Sequence, residues 1–291
     1  MVKMIQVKVP LKIDLAGSWT DIQPYASDFG GEVVNFEINV NINCEIEVEN
    51  GNLKKVKYST EMPIDLELKT TNGVDFEFLT TITEGIKSLE YLNKFTHELE
   101  NLIKNTGNIH EPWINSRGGF NHTLFLGKEI EPMPFEPMKS SKNWLKKHFI
   151  IIYSDIENNT NEIHKDVWNR YENKDEEVLK GLHCLRAAAR VMANGLQKDR
   201  RELVVNALKE ISAGIDLISP EIHRPFRGVM DPLVNNKSVI AWKALSLGEG
   251  KTLGILCSPN GKEATLERIE EMGWQNIEWD YNEHGIKVVK K

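Results

Sequence analysis

From Met4 to Leu15 polar and apolar residues alternate, and the alternation returns over Glu32 to Val48 and Lys54 to Tyr58. A period of two predicts three half-buried strands, the last two joined through Asn50-Gly51-Asn52 as a hairpin. From Thr80 to Lys104 the period changes. Ile82, Ile86, Leu89, Leu92, Phe95, Leu99 and Leu102 recur at three- and four-residue steps, which predicts an amphipathic helix ended by Gly107. Trp113 to Phe125 reads as strand, Glu129 to Lys142 as a Pro- and Met-rich loop, and the run HFIIIYS from His148 to Ser154 as a buried strand.

Beyond Asn161 helical periodicity dominates. Helices are predicted over Asn161 to Tyr171, Glu176 to Leu196 and Arg200 to Ile218, with Ser219-Pro220 closing the third. Strands over Ile240 to Cys257 and Ile277 to Val289 then flank a helix at Lys262 to Met272. The shift in character near residues 155 to 160 marks a boundary, giving an N-terminal lobe at 1–158 and a C-terminal lobe at 159–291. The class is α+β, in two lobes with a cleft between them.

Composition narrows the partners. A chain of 291 residues, 40% hydrophobic and 27% charged, has enough apolar material for a sizeable core. A net charge of −7 argues against nucleic acid or an anionic membrane, both of which select basic surfaces. No run of eighteen apolar residues occurs, and the N-terminus enters strand pattern without a signal-like apolar stretch, so the cytoplasm is the expected location. Cys44, Cys184 and Cys257 lie far apart with no C-x-x-C spacing, which points to buried thiols and no metal site. His110, His122, His164, His183 and His223 are scattered, and no G-x-S-x-G elbow is present.

The richest chemistry lies between Lys8 and Ile42. Gly17-Ser18 breaks the first strand and delivers Asp21 at its end, followed by Gly30-Gly31 and the second strand. Read from residue types alone, this is either a small-polar-substrate site or a hairpin with a solvated acid. The string P-L-K-I-D-L-A-G-S-W-T-D-I-Q-P-Y, continued by G-G-E-V-V-N, resembles the opening motif of the GHMP small-molecule kinases, in particular the fucokinase and heptose-7-phosphate kinase branch. The resemblance implies a ribosomal-protein-S5-domain-2-like N-lobe and a ferredoxin-like C-lobe. It also implies that Asp21 holds sugar hydroxyls, with Trp19, Gly30 and Gly31 beside it, and that Lys12 stands where an Arg is usual.

Two further segments carry the likeness. Gly118-Gly119-Phe120-Asn121 followed by HFIIIYSDIENNTNEI is similar to the family's G-G-F-N strand and the segment after it. The family's catalytic Asp, eight residues before that motif, falls at or beside Glu111, whose carboxylate would orient or deprotonate the acceptor hydroxyl. Glu111 reads equally as a loop acid before Pro112. Ala241 to Cys257 resembles the C-terminal loop G-x-K-x-x-G-A-G-G-G-G-x-x-L, with Gly248 and Gly250 retained and Ser246, Glu249 and Lys251 in place of small residues. Lys251 is either a phosphate contact or part of a solvated hairpin. Trp19 and Trp113 flank the two acids, each as a sugar platform or a core residue.

The nucleotide motif departs most. The superfamily's P-x-x-x-G-L-G-S-S-A, whose backbone N–H groups cradle ATP phosphates, does not occur. Thr80, Thr81 and Thr83 stand at the corresponding place and would cap the helix there. Each charge-assisted hydrogen bond lost from a triphosphate is worth roughly 1.5–3 kcal/mol. The resemblance thus implies a sugar kinase using ATP and Mg2+, with a sugar or sugar phosphate as partner and a homodimer as a possible assembly. Its rivals are an inactive relative that binds the sugar without ATP, and an enzyme using another phosphoryl donor such as pyrophosphate. The His223-Arg224 pair after Ser219-Pro220 also resembles a family helix start, which makes Arg224 and Arg227 either phosphate contacts or surface arginines.

Overall fold

In the computed structural model the described residues are 2–49, 52–61, 118–127, 129–156, 160–245, 251–285 and 287–290. Ten strands and seven helices are described: β1 (Val2–Ala16), α1 (Tyr25–Asp28), β2 (Gly31–Glu49), β3 (Asn52–Thr60), β4 (Phe120–Leu126), β5 (Glu129–Pro132), α2 (Lys139–His148), β6 (Phe149–Tyr153), α3 (Thr160–Glu172), α4 (Glu176–Gln197), α5 (Arg201–Ile218), α6 (Arg224–Asn235), β7 (Val239–Leu245), β8 (Thr252–Cys257), α7 (Lys262–Glu271), β9 (Gln275–Ile277) and β10 (Lys287–Lys290). The class is α+β. The helix expected over Thr80 to Lys104 lies outside the described residues.

The chain forms two compact units that are interleaved in sequence, 1–13 with 36–119 and 279–291, and 14–35 with 120–278. This partition differs from a single cut between 158 and 159, because β1 and β2 each run through both units and return the chain twice.

In the first unit β1 pairs antiparallel with β10 from Ile5↔Lys290 to Lys8↔Lys287. There β2 pairs with β3 from Ile42↔Thr60 to Glu49↔Asn52. Alternation sends Phe36 and Ile38 of β2 into a core, and Phe36 packs its ring 5.2 Å from Trp279 and 5.4 Å from Tyr281.

The second unit carries a four-stranded antiparallel sheet in the order β7-β8-β6-β9. Every residue of β6 and β8 is buried, as their continuous apolar runs require. One face is covered by α6, whose Phe226, Val229, Met230 and Leu233 recur at helical steps and meet Trp242, Ile255 and Ile152. Helix α4 starts at Asp175, whose Oδ1 accepts from Glu177 N and Val178 N at 2.9 and 3.2 Å.

Three expectations are corrected. The stretch 129–142 is not all loop, since β5 pairs with β4 and α2 begins at Lys139. Helix α6 was not marked by periodicity, although Ser219-Pro220 resembles a family helix start, because Pro225, Gly228 and Pro232 interrupt a pattern whose stability comes from burial of one face rather than from propensity. The strand expected over Ile277 to Val289 is two short strands, β9 and β10, separated by residues 278–286.

Candidate functional site: a buried lysine behind the Asp21 turn

Strand β1 stops at Ala16, and the chain turns through Gly17, Ser18, Trp19 and Thr20 to Asp21. Gly17 has φ +85°, and a Cβ there would lie 1.8 Å from the Glu32 carbonyl oxygen. A Cβ on Gly31 would lie 2.2 Å from the Thr20 carbonyl oxygen. Only glycine permits this approach of turn to strand. Thr20 locks it, its hydroxyl donating to Gly17 O at 2.7 Å and accepting from Glu32 N at 3.1 Å. Asp21 is thereby held with only 6% of its surface exposed.

Trp19 has φ +79°, a conformation costly for a bulky residue by about 1–3 kcal/mol. Its indole stacks on His164 with centroids 4.1 Å apart and planes 19° apart, and lies 6.1 Å from Trp168. His164 and Trp168 are one turn apart on α3, so the helix presents an aromatic face to the turn.

Behind the turn lies Lys243 of β7, the only charged residue in the strand VIAWKAL and 2% exposed. Its Nζ donates to Asp14 O at 2.8 Å and to Ser18 Oγ at 3.2 Å. Burial pushes the ammonium down to about 8, and the carboxylates of Asp14 and Asp21 oppose that shift. The strand is itself anchored beside the lysine. Ser212 Oγ donates to Trp242 O, and Ala244 N donates to His223 Nε2 at 3.3 Å. With Nε2 accepting, His223 carries its proton on Nδ1 and donates to Asp216 Oδ1 at 2.9 Å.

The second oxygen of Asp216 accepts from Arg227 at 2.6 Å, and Arg224 pairs with Glu221. Burial would raise the Asp216 carboxyl, but His223 and Arg227 hold it below the usual carboxylate range. Both arginines put forward for phosphate are therefore engaged in ion pairs here. Lys251 is engaged too, with Nζ 3.4 Å from Asp155 Oδ1 while its carbonyl accepts from Ser154 N and Oγ at 2.9 and 2.7 Å.

Gly30 closes the one-turn helix α1, with φ +77° and its N–H donating to Ala26 O at 3.1 Å. Next to Gly31, Glu32 is 1% exposed, and its two oxygens meet His122 Nε2 at 2.9 Å and Arg190 at 2.8 Å. Burial works to raise its pKa. The hydrogen bonds and charges of those partners win and hold it below its ordinary value.

The first unit has its own buried polar pair. Glu37 is 0% exposed, and Oε1 accepts from Gly118 N at 3.2 Å while Oε2 has no hydrogen-bond partner among the described residues. Its backbone is clamped by Gly119 O at 3.0 Å and Asn282 N at 2.9 Å, which places the G-G-F-N motif against β2. Burial pushes the Glu37 carboxyl up to about 9, with the Gly118 N–H and the Lys12 charge opposing. Lys12 is 9% exposed on β1.

Of the residues singled out in the sequence, Trp19, Asp21, Gly30 and Gly31 thus gather around one braced turn, Lys12 lies beside Glu37, and Lys251 sits at the start of β8. Glu111, Thr80, Thr81, Thr83, Gly248 and Gly250 lie outside the described residues. Sequence reasoning missed Lys243 and Glu37. The first has a signal, since a lone charge in an apolar strand needs a partner and Lys243 occupies the lysine of the G-x-K-x-x-G loop motif. Among the described residues no group of three or more His, Cys, Asp or Glu is placed to hold a metal ion, and the Asp14 and Asp21 charges already face an ammonium.

No protein-family profile matches the sequence, and no curated protein matches it. Solved structures do. A D-glycero-D-manno-heptose 1-phosphate kinase from Bacteriodes thetaiotaomicron is similar over 98% of each chain, with a TM-score of 0.67 at 14% identity. The galactokinase of Lactococcus lactis, solved with galactose, covers 98% of this chain and 95% of its own, at a TM-score of 0.61 and 12% identity. The mevalonate kinase of Methanococcus jannaschii covers 95% of this chain and 98% of its own, at 0.59 and 13%. At such identities likeness speaks for the fold. The chain therefore has the fold of the GHMP small-molecule kinases, with sugar kinases among its structural neighbours.

Proposed function

We propose that this chain binds a sugar or sugar phosphate at the Asp21 turn and transfers a phosphoryl group from ATP to one of its hydroxyls. The observation that carries the reading is a nearly buried aspartate on a turn braced by Gly17, Gly31, Thr20 and Lys243. Fixed carboxylate oxygens accept hydroxyl hydrogen bonds without first paying to order themselves. Trp19 offers an apolar surface for the ring beside them.

ATP with Mg2+, when bound, supplies the transferable phosphoryl group. Asp21 orients the acceptor, Lys12 stabilises developing charge, and Glu111 orients or deprotonates the reacting hydroxyl. Thr80, Thr81, Thr83, Gly248 and Gly250 are the phosphate contacts of this reading. Lys251 joins them by exchanging its Asp155 partner for a phosphate oxygen.

A second reading is favoured by one observation, the absence from the sequence of the superfamily's glycine-rich phosphate string. It makes the chain a sugar-binding relative without nucleotide. Calorimetry with Mg-ATP, and with heptose, fucose, galactose and their phosphates, separates the two. Saturable heat from both ligands supports the kinase, sugar heat alone supports the binder, and no sugar heat defeats both. Asp21→Asn is expected to lower sugar affinity roughly 10- to 100-fold, the worth of a lost charge-assisted hydrogen bond.

A further inference from the structure

We propose that Lys243 is a positioning residue for the acceptor site, fixing the turn from Gly17 to Asp21 so that the Asp21 carboxylate meets its ligand in one geometry. The inference rests on the reading that Asp21 receives the acceptor.

A lysine behind a binding turn is usually a long, mobile tether. Here its backbone is fastened on both sides, Trp242 O by Ser212 and Ala244 N by His223, and its strand is paired to β8. The ammonium thus starts from a fixed point. It reaches Ser18 Oγ within the turn and Asp14 O at the end of the strand leading into it. Thr20 fastens the far side of the same turn to Gly17 and Glu32. Asp21 is consequently held from two directions, by a hydroxyl lock on one side and a cation on the other.

Charge adds to the geometry. The charged groups facing Lys243 are Asp14 on β1 and Asp21 on the turn, while His223 behind the strand is already committed to Asp216. Without the ammonium, two largely enclosed carboxylates would repel across the turn, and the arrangement would open or take up a proton. Lys243 touches neither reacting atoms nor nucleotide in this scheme. Its effect on the acceptor passes through Ser18 and Asp21.

The test uses the full chain with 5-fluorotryptophan in all seven tryptophan positions, the Trp19 resonance being assigned by Trp19→Phe. Trp19 adjoins Ser18 and reports the turn without any ligand. In Lys243→Met its fluorine resonance is expected to shift or broaden while Trp144 and Trp279, remote in sequence from residue 243 and from the turn, hold theirs, and Lys243→Arg is expected to restore it in part. Galactose, fucose and heptose 7-phosphate affinity, measured by calorimetry, is expected to fall roughly 10- to 100-fold in Lys243→Met and to recover in Lys243→Arg. An unmoved Trp19 resonance in Lys243→Met, or a moved one with undiminished sugar affinity, overturns the proposal. If Lys243→Met does not fold, Lys243→Gln, which keeps a hydrogen-bond donor but removes the charge, decides alone: an unmoved Trp19 resonance together with undiminished sugar affinity overturns the proposal. Wild-type protein that binds none of the three sugars defeats the acceptor reading itself, and the Trp19 signal then still reports whether Lys243 holds the turn.

Discussion

Glu37 in the first unit and Lys243 in the second are both sealed from solvent, yet they yield in opposite directions. Glu37 has one backbone N–H on one oxygen and the charge of Lys12 nearby, and its carboxyl climbs to about 9. Lys243 has two oxygen acceptors and two carboxylates, and falls only to about 8. Glu32 supplies the third point. It is 1% exposed against 0% for Glu37, yet with a partner on each oxygen it stays below its ordinary value. Satisfied hydrogen-bonding capacity, together with depth of burial, decides which buried group keeps its charge.

The comparison breaks most readily at Glu37. Its folded pKa lies above the unfolded one, so its stabilising contribution is complete below about pH 4.5 and drains away as the pH rises toward 9. Glu37→Gln has no proton to lose. The variant is expected to gain on wild type by roughly 3–5 kcal/mol between pH 5 and 8, read by urea denaturation at both values. A gap between the two proteins that stays constant with pH would show that Glu37 titrates normally.

Lys243 gives the opposite slope. Its folded pKa lies below the unfolded 10.5, so the stability it contributes is complete above about 10.5 and is lost as the pH falls through 8. Relative to Lys243→Met, wild type is expected to strengthen by about 2–3 kcal/mol between pH 8 and 10. Denaturation midpoints that run parallel over that range would mean the ammonium is no harder to keep charged here than in water.

Glu32 sharpens the contrast with the smallest effect. Its lowered pKa gives stability present above the unfolded carboxylate value and lost as the pH falls through the folded one. Glu32→Gln is expected to cost about 1 kcal/mol at pH 7, since Arg190 is 71% exposed and its share is screened. The cost should shrink as the pH falls below the unfolded carboxylate range and through the folded pKa, and thermal melts that keep their full separation throughout would assign it to packing instead.

Much of the framework was legible because it obeys one-dimensional rules. Strands β1 and β2 alternate, β6 is uniformly apolar, and α4 and α5 repeat at helical steps, so each lies within a residue or two of its expected range. Helices α2 and α6 were not legible from periodicity. The sequence KSSKNWLKKH has only Trp144 and Leu145 as apolar residues, and RPFRGVMDPLVN carries two prolines, so their order comes from what they pack on. The interleaved units were equally hidden, since nothing local marks a strand that serves two of them.

At the site the division is similar. Asp21, Gly31 and Trp19 stand in one stretch and were found together because a turn is a local object. Lys243 lies more than two hundred residues away, and no spacing rule joins it to Ser18.

The sequence by itself determined the α+β class, the kinase-like opening motif, the glycines that let the turn press on Glu32, and the lack of the usual phosphate string. Only the tertiary structure decided that Lys243 stands behind Asp21, that Glu37 yields to burial, and that Lys251 and Arg227 are already paired. The reason is physical. Backbone geometry and periodicity act between neighbours along the chain, whereas the charge state and partners of a buried group depend on desolvation and hydrogen bonds supplied by whatever folding brings within about 3 Å.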